Sequence, residues 1–331
     1  MAFDFRVSPA LWPVLAVASP VVVPWMAAKT YRFNRGRRQA AQRNADRIAA
    51  ATPLNLPSLR SLEITVIVEH AHEPGFEGDA AVSYLVRTDR GGVLMDLGFG
   101  PEHPAFAHNA ERLGLSMDDA DALLISHLHL DHMGGMAAQR AREVAIPESF
   151  DRGTNQPCYV PDRCRAPTFD VRRVEGPMMV EGGLATTGPL ARMLFFFGWL
   201  EEQALVARVE GKGLVVLTGC GHPTVEVILK MARKMSDEPL YALGGGLHFP
   251  ITSSRLVRAG IQAQRVFGTG KAVWQQITDA DLDVTIASLN AHKVQRLLLS
   301  AHDTCDHALK RLTEEVEGDV EILKAGASYS L

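Results

Sequence analysis

The segment "SHLHLDHMGG", residues 126–135, places three histidines and one aspartate within six positions. His127 and His129 are two residues apart, so at an extended strand end their side chains point to the same side. Asp131 and His132 follow where the chain is expected to turn into a helix. Imidazole and carboxylate groups are ligands for Zn²⁺ and, less selectively, for Fe or Mn. The spacing therefore predicts a metal site at the end of a buried strand.

The elements around this segment alternate between apolar strands and amphipathic helices. The predicted strands span residues 62–70, 80–89, 91–98, 121–126, 213–219, 240–249 and 295–302. The predicted helices span residues 36–52, 103–115, 133–144, 224–235, 281–294 and 305–316. The Pro- and Arg-containing stretch 146–180 is interpreted as an insertion or loop region. This order predicts an α/β fold, an αββα sandwich of two mixed β-sheets flanked by helices.

His127, His129, Asp131 and His132 match an H-x-H-x-D-H signature, and on these residues the chain resembles the metallo-β-lactamase superfamily. Further segments resemble the branch that includes the dihydropterin-type ribofuranosylaminobenzene-phosphate synthases. These segments are 94–98, 201–223, 245–249 and 300–308. The resemblance covers roughly residues 62–331 and agrees with the predicted sandwich. It says little about substrate, because one fold supports many chemistries.

The resemblance implies two divalent metal ions, with zinc preferred and iron or manganese as alternatives. The six implied ligands are His127, His129 and His222 for one ion and Asp131, His132 and His302 for the other. Asp96, at the end of a strand, is expected to orient a ligand rather than to bind metal. Cys220 stands where other branches carry a bridging aspartate or cysteine, and its alternative is a small buried residue in a tight turn.

Several residues outside the ligand set are candidates for other roles. We expect Asp131 to act as a general base, and His248 to polarise the substrate oxygen or protonate a leaving group. His70 and His72 lie on a loop that either contacts substrate or is simply exposed to solvent. Phe197 belongs to an aromatic group, residues 195–199, that forms either an apolar pocket wall, a membrane contact or an ordinary buried strand.

The simplest reaction for such a site is hydrolysis of an ester, lactone or phosphoester bond by a metal-bound hydroxide. The small-molecule substrate is expected to be apolar or lipid-like. Alternatives are a C–C bond-forming pterin-type synthase, a mononuclear iron dioxygenase and a non-catalytic membrane scaffold. No G-x-S-x-G motif is present to support a serine hydrolase.

The net charge of −4 gives no sign of a nucleic-acid partner. Residues 11–28 carry no charge and are followed by a basic cluster, which predicts membrane attachment, by spanning or by lying in the interface. The basic side would keep the catalytic domain in the cytoplasm. We therefore predict a membrane-associated segment with a basic helical linker, residues 1–57, and a catalytic domain, residues 58–331. The oligomeric state is left open.

Overall fold

The computed structural model describes residues 12–153, 155–258 and 260–331, with the backbone alone for residues 12–18. The helices are α1 Trp12–Ala50, α2 Ala105–Leu113, α3 Met136–Ala141, α4 Val225–Met235, α5 Asp279–Ala291 and α6 Asp306–Glu315. The first nine strands are β1 Ser58–Leu59, β2 Leu62–Val68, β3 Ser83–Thr88, β4 Gly91–Met95, β5 Ala122–Leu124, β6 Pro157–Val160, β7 Asp170–Arg173, β8 Met178–Met179 and β9 Ala185–Thr186. The others are β10 Leu190–Leu194, β11 Gly198–Glu202, β12 Leu205–Val209, β13 Gly213–Thr218, β14 Leu240–Gly245, β15 Val257–Arg258, β16 Ile261–Gln262, β17 Arg296–Leu299, β18 Asp319–Ile322 and β19 Ser328–Ser330.

Two mixed sheets form the centre of the molecule. One has the strand order β19-β2-β3-β4-β5-β6-β7, and the other has the order β18-β17-β14-β13-β12-β9-β8 with β1 paired to β12. Strands β4 to β7 run parallel, as do β13, β14, β17 and β18. Two hairpins, β10-β11 and β15-β16, lie outside these sheets.

Three buried apolar clusters show how the layers stack. Between the sheets, Val66 and Val86 share a cluster with Leu217 and Leu298. Helices α4, α5 and α6 cover the outer face of one sheet, and α2 and α3 cover the outer face of the other. Each fully buried aliphatic side chain contributes roughly 1.5–3 kcal/mol to such a core. The predicted αββα sandwich is confirmed.

Local capping interactions determine where α5 begins and where α2 ends. Helix α5 begins after a capping box in which the Thr278 backbone N–H donates to Asp281 Oδ2 at 3.0 Å. Helix α2 ends at Gly114, which has a left-handed φ of 67° that glycine adopts without a steric cost. These signals are local and are readable in the sequence.

The stretch 146–180 was predicted to be a loop region, and this is wrong in part because it supplies β6, β7 and β8. Strand β6 pairs in parallel with β5, and its Cys158 and Tyr159 are buried. Strand β7 is an exposed edge strand with the sequence DVRR. The prolines and arginines around these short strands hide the apolar pattern that identifies a longer strand.

Helix α1 continues without interruption from the apolar part of residues 11–28 into the basic cluster. It docks on β10, where the Asn44 side chain donates to the Ala191 carbonyl at 2.9 Å and accepts from the Ala191 N–H at 2.7 Å. Phe33 packs edge-to-face on Phe195 at 5.2 Å. Within the described part of the chain no helix is both long and apolar enough to cross a bilayer, so the predicted membrane-spanning helix is not found. The apolar run is too short and passes directly into charged residues; residues 1–11 lie outside the described residues.

Candidate metal centre

The side chains predicted to bind metal converge where parallel strands of the two sheets end. His127 follows β5, His222 follows β13 and His302 follows β17. Carboxyl ends of parallel strands lie at one edge of a sheet, which is where α/β proteins place ligand sites. His127, His132 and His302 are fully buried, and His222 is nearly so. The two sheets therefore bring together residues that are far apart in sequence.

One group of ligand atoms is built on His127. Its Nε2 lies 3.0 Å from His129 Nδ1, and its ring centroid lies 4.9 Å from that of His222. The His222 Nδ1 lies 3.1 Å from the Gly268 carbonyl, so this nitrogen carries the proton and Nε2 presents a lone pair. Among the described residues, Nε2 of His222 has no hydrogen-bond partner although it is buried.

A second group is built on His132. Its Nε2 lies 3.6 Å from Asp131 Oδ2 and 3.1 Å from Cys220 Sγ. Cys220 Sγ in turn lies 3.3 Å from His302 Nε2. The possible ligand atoms of Asp131, His132, Cys220 and His302 all lie within 4.8 Å of one another.

Cys220 belongs to both groups, because it also lies within 4.8 Å of the ligand atoms of His127 and His222. Buried polar atoms without partners are costly, and the bare His222 Nε2 is such an atom. Imidazole, carboxylate and thiolate donors at these separations match what Zn²⁺ takes in proteins. The residues present therefore fit metal binding, and Cys220 is shared by these two groups and by a third set that it forms with His248 and Asp303.

Asp96 fixes the orientation of two of these histidines. Its Oδ2 accepts from His132 Nδ1 at 2.7 Å and from Ser126 Oγ at 2.6 Å. Ser126 Oγ lies 3.0 Å from His127 Nδ1. A carboxylate only accepts, so His132 Nδ1 and Ser126 Oγ each donate a proton to Asp96. With its own proton used in this way, Ser126 Oγ accepts from His127 Nδ1, and both Nε2 lone pairs face the cluster.

Glu69 orients His302 in the same way, through Ser300, and reasoning from the sequence missed this residue. His302 Nδ1 lies 2.5 Å from Ser300 Oγ, which donates to Glu69 Oε2 at 2.5 Å. Tyr84 donates to the same oxygen at 3.0 Å. Burial raises the pKa of Glu69 to about 8, although the hydrogen bonds from Ser300 and Tyr84 oppose the shift. The chain Glu69–Ser300–His302 thus leaves Nε2 of His302 free toward Cys220.

Glu202 holds the loop that carries Cys220 and His222. Its carboxylate accepts the backbone N–H groups of Cys220 at 3.0 Å, Gly221 at 2.7 Å and His222 at 2.7 Å. Burial raises the pKa of Glu202 to about 7, while the loop N–H groups oppose this. Glu202 was also missed, because it lies on β11 and meets the loop only in the folded chain.

Burial keeps most of the histidines in the neutral form that a metal requires. It lowers the pKa of His129 to about 3 and that of His302 to about 3. In His132 burial also lowers the pKa, but Asp131 and Asp96 raise it further, to about 9. A cation bound at this position would take the place of that proton.

A cavity of about 80 Å³, the inner cavity, opens on the cluster. It is lined by His129, Asp131, Cys220, His222 and His248, with Phe197, Leu256 and Phe267 on its apolar side. Both ring nitrogens of His248 are buried without a hydrogen-bond partner among the described residues. Its backbone has a positive φ of 57°, and its N–H donates to Asp303 Oδ2 at 3.0 Å.

The structure places the remaining predicted residues differently. Phe197 lies at the rim of the inner cavity, with its ring 5.7 Å from that of His129. His72 is exposed, with its Nδ1 3.2 Å from the Glu73 carbonyl, and His70 is only partly buried. Neither His70 nor His72 lines the inner cavity. Substrate contact by these two histidines stays a prediction without support from their positions.

We expect Asp96→Asn to weaken metal binding by about 10–100-fold, because the amide no longer accepts from His132 Nδ1 with a full charge. Asparagine tolerates the positive φ of 60° at this position, so the backbone is preserved. The measurement is a chelator-competition titration of the purified variant. Asp89→Asn, an exposed change at the Arg60 pair, serves as the control. An unchanged metal affinity in Asp96→Asn contradicts the orienting role.

The sandwich with its metal-ligand cluster at the strand ends defines a metallo-β-lactamase fold. Residues 77–147 match the model of the metallo-β-lactamase superfamily. A solved structure described as a metal-dependent hydrolase of the β-lactamase superfamily, Tm1679, superimposes with a TM-score of 0.57 at 21% identity, covering 81% of this chain and 98% of that one. The YhfI protein of Bacillus subtilis gives a TM-score of 0.49 at 15% identity, covering 82% of this chain and 100% of that one.

Among curated proteins, the chain is similar to a Methanocaldococcus jannaschii enzyme named 7,8-dihydropterin-6-methyl-4-(β-D-ribofuranosyl)-aminobenzene-5′-phosphate synthase. The two are 22% identical in an alignment 260 residues long that covers 66% of this chain and 88% of that protein. The chain has the metallo-β-lactamase fold, and residues 77–147 carry the sequence similarity to that superfamily. The resemblance carried by the H-x-H-x-D-H residues is confirmed.

Proposed function

We propose that this protein is a metal-dependent hydrolase that cleaves an ester, lactone or phosphoester bond. The observation that carries the proposal is the position of Cys220, whose Sγ belongs to both ligand groups. Two groups that meet at one thiol favour a centre of two ions over the single iron of a dioxygenase. The mixture of imidazole and thiolate donors favours zinc, which has no redox chemistry.

Zinc ions held at such a centre would lower the pKa of a water molecule toward neutrality and polarise the bond under attack. The chain's own residues then position the reaction. The carboxylate of Asp131 faces the inner cavity and can hold the proton of the attacking water. His248 faces the same cavity, where its Nδ1 lies 3.6 Å from Asp303 Oδ2 and its Nε2 has no hydrogen-bond partner among the described residues, so Nε2 can donate a proton to the leaving group.

The apolar side of the inner cavity supports a substrate with an apolar portion. Phe197 and Phe267 lie with ring centroids 5.5 Å apart at this side, and Phe197 is 52% exposed. An exposed aromatic ring beside a reactive cluster can cover the substrate and exclude water. We therefore retain an apolar or lipid-like group in the proposed substrate.

A C–C bond-forming synthase of the pterin type is the second candidate. The observation that favours it is the synthase activity named for the Methanocaldococcus jannaschii relative, which aligns with this chain over most of its length. In a synthase the same cluster would bind and orient a substrate oxygen, and Asp131 and His248 would again move protons. The two candidates differ in whether water is consumed.

A substrate panel on one metal-characterised sample tests the proposal. Lactones, thioesters and phosphodiesters are assayed beside the release of product from a pterin and an aminobenzene phosphate. Hydrolysis of at least one ester-type substrate, lost on chelation and restored by Zn²⁺, is the expected result. Turnover that persists after full removal of metal contradicts the hydrolase, and condensation without hydrolysis selects the synthase.

A further inference from the structure

A second cavity, which we call the arginine cavity, lies beside the inner cavity and has a volume of about 280 Å³. Its walls are α1 through Arg37, β10 through Arg192, the segment 268–271, and the first half of α5. His222 and His248 line both cavities. A bound molecule can therefore have one end at the metal-ligand cluster and another among the arginines.

The charged side chains that line the arginine cavity leave an excess of positive charge. Lys271 Nζ lies 2.6 Å from Asp281 Oδ1, so these two neutralise each other. Glu226 accepts a hydrogen bond from Thr285 Oγ1 at 2.8 Å and has no cation within ion-pair distance among the described residues. Arg37 and Arg192 are likewise without a carboxylate in ion-pair contact in the described part of the chain. Two guanidinium groups against one carboxylate leave the cavity cationic.

Arg192 in particular occupies an unfavourable place for a charge. Burial lowers its pKa and the nearby charge of Arg37 lowers it further, while Asp281 and Glu226, which are not in ion-pair contact with it, oppose the shift only in part. Its Nη2 donates to the Thr269 carbonyl at 3.3 Å, which leaves most of its donors unused. A partly buried guanidinium without a counter-ion is costly, and an anion between the two arginines removes that cost.

The glycine-rich segment keeps room for the Arg192 side chain. Gly270 has a positive φ of 64°, and a Cβ at this position would overlap the Arg192 guanidinium. The sequence GTG at 268–270 therefore permits the arginine to lie flat under the loop. The planar guanidinium fork matches the oxygens of a phosphate group in a bidentate manner.

We propose that the arginine cavity binds a phosphate group of the substrate, through Arg192 and Arg37, while the bond to be cleaved lies at the metal-ligand cluster. Only the position of the cleaved bond at the metal-ligand cluster rests on the proposed function; phosphate binding in the arginine cavity does not. It narrows the substrate to a small molecule that carries a phosphate in addition to the reacting bond.

Calorimetry tests phosphate binding in the arginine cavity. Inorganic phosphate is titrated into the full chain after a chelator has removed any metal. Removing metal prevents phosphate from binding at the cluster. Loss of one charged hydrogen-bonding partner is expected to weaken binding by about 10–100-fold. We expect this loss in Arg192→Ala and Arg37→Ala, and an intermediate loss in Arg192→Lys, which keeps the charge without the fork.

Arg35→Ala is the matched control, because Arg35 is an exposed arginine of α1 that does not line the cavity. Arg37 is also exposed, so Arg37→Ala folds even where Arg192→Ala does not. Equal phosphate affinity in the wild type, Arg37→Ala and Arg35→Ala overturns the proposal. Absence of binding at millimolar phosphate, or tighter binding of succinate than of phosphate, also overturns it.

The position of the cleaved bond relative to the phosphate is tested with two esters that differ only by a remote phosphate. In the metal-loaded enzyme, Arg37→Ala should raise KM for the phosphorylated ester and leave KM for the plain ester unchanged. An equal rise for both esters contradicts a phosphate subsite. If the wild type hydrolyses neither ester while phosphate binding depends on the arginines, the hydrolase is wrong and the phosphate site stands.

Discussion

The double variant His127→Ala, Asp131→Ala is expected to lose bound metal and to turn over at least about 10³-fold more slowly than the wild type. Each substitution removes a predicted ligand from a different group, since His127 belongs to the group with His222 and Asp131 to the group with His132 and His302. Neither half of the cluster then keeps its ligands. Elemental analysis and steady-state rates on the same samples provide the measurement.

A matched control separates this loss from a general effect of removing histidine. His108 lies on α2, is exposed, and its Nε2 lies 3.2 Å from the Gly75 carbonyl, away from the cluster. We expect His108→Ala to keep wild-type metal content and rate. Circular dichroism and thermal unfolding establish that the double variant is folded. A folded double variant with wild-type turnover contradicts the assignment of the cluster.

Cys220→Ala is expected to lower turnover by about 10²-fold and to reduce the metal content of both groups. Its Sγ lies 3.1 Å from His132 Nε2 and 3.3 Å from His302 Nε2, so its removal opens the middle of the cluster. Burial raises the pKa of the Cys220 thiol strongly in the metal-free chain. A thiolate at this position therefore depends on a bound cation, which links metal binding to proton release.

Cys158→Ala is the control for this variant, because Cys158 is another fully buried free cysteine but lies in the apolar cluster under α2 and α3. It should change stability without changing metal content per folded chain. Cobalt substitution adds a readout specific to sulfur, since a thiolate ligand gives charge-transfer absorption that Cys220→Ala abolishes. Unchanged metal content and rate in Cys220→Ala show that Cys220 is only a buried residue in a turn.

The parts of the site that are local in sequence could be predicted. His127, His129, Asp131 and His132 lie within six positions, and strand β5 before them is short and apolar. His222 and His302 were assigned by resemblance, and the structure places both beside the cluster. The loops that carry these predicted ligands follow the carboxyl ends of strands, and among the described residues His129 belongs to none of the candidate metal-binding groups.

The parts that depend on contacts across the two sheets could not be predicted. Glu69 is at the end of β2 and meets Ser300 only when the sheets are stacked. Glu202 meets the Cys220 loop only through the packing of β11 beside the sheet edge. A single carboxylate in an apolar strand gives no pattern to read, and its role appears only with its partners.

In the fold, too, local features could be predicted from the sequence and long-range packing could not. Helices with strong apolar periodicity, such as α4 at Val225–Met235, lie close to their predicted range of 224–235. The segment 11–28 predicted a membrane-spanning helix, which is not found among the described residues, and its Val21, Val23 and Trp25 side chains are exposed. The later part of α1, with Phe33 and Asn44, packs on the β10-β11 hairpin and brings Arg37 to the arginine cavity.

The metal-to-protein ratio of an active preparation tests the central claim most directly. The claim is that two ligand groups joined at Cys220 hold the ions on which hydrolysis depends. Elemental analysis of the wild type should give two ions per chain, chiefly zinc, and turnover should fall in proportion as a chelator removes them. An active preparation that contains no divalent metal would contradict the account.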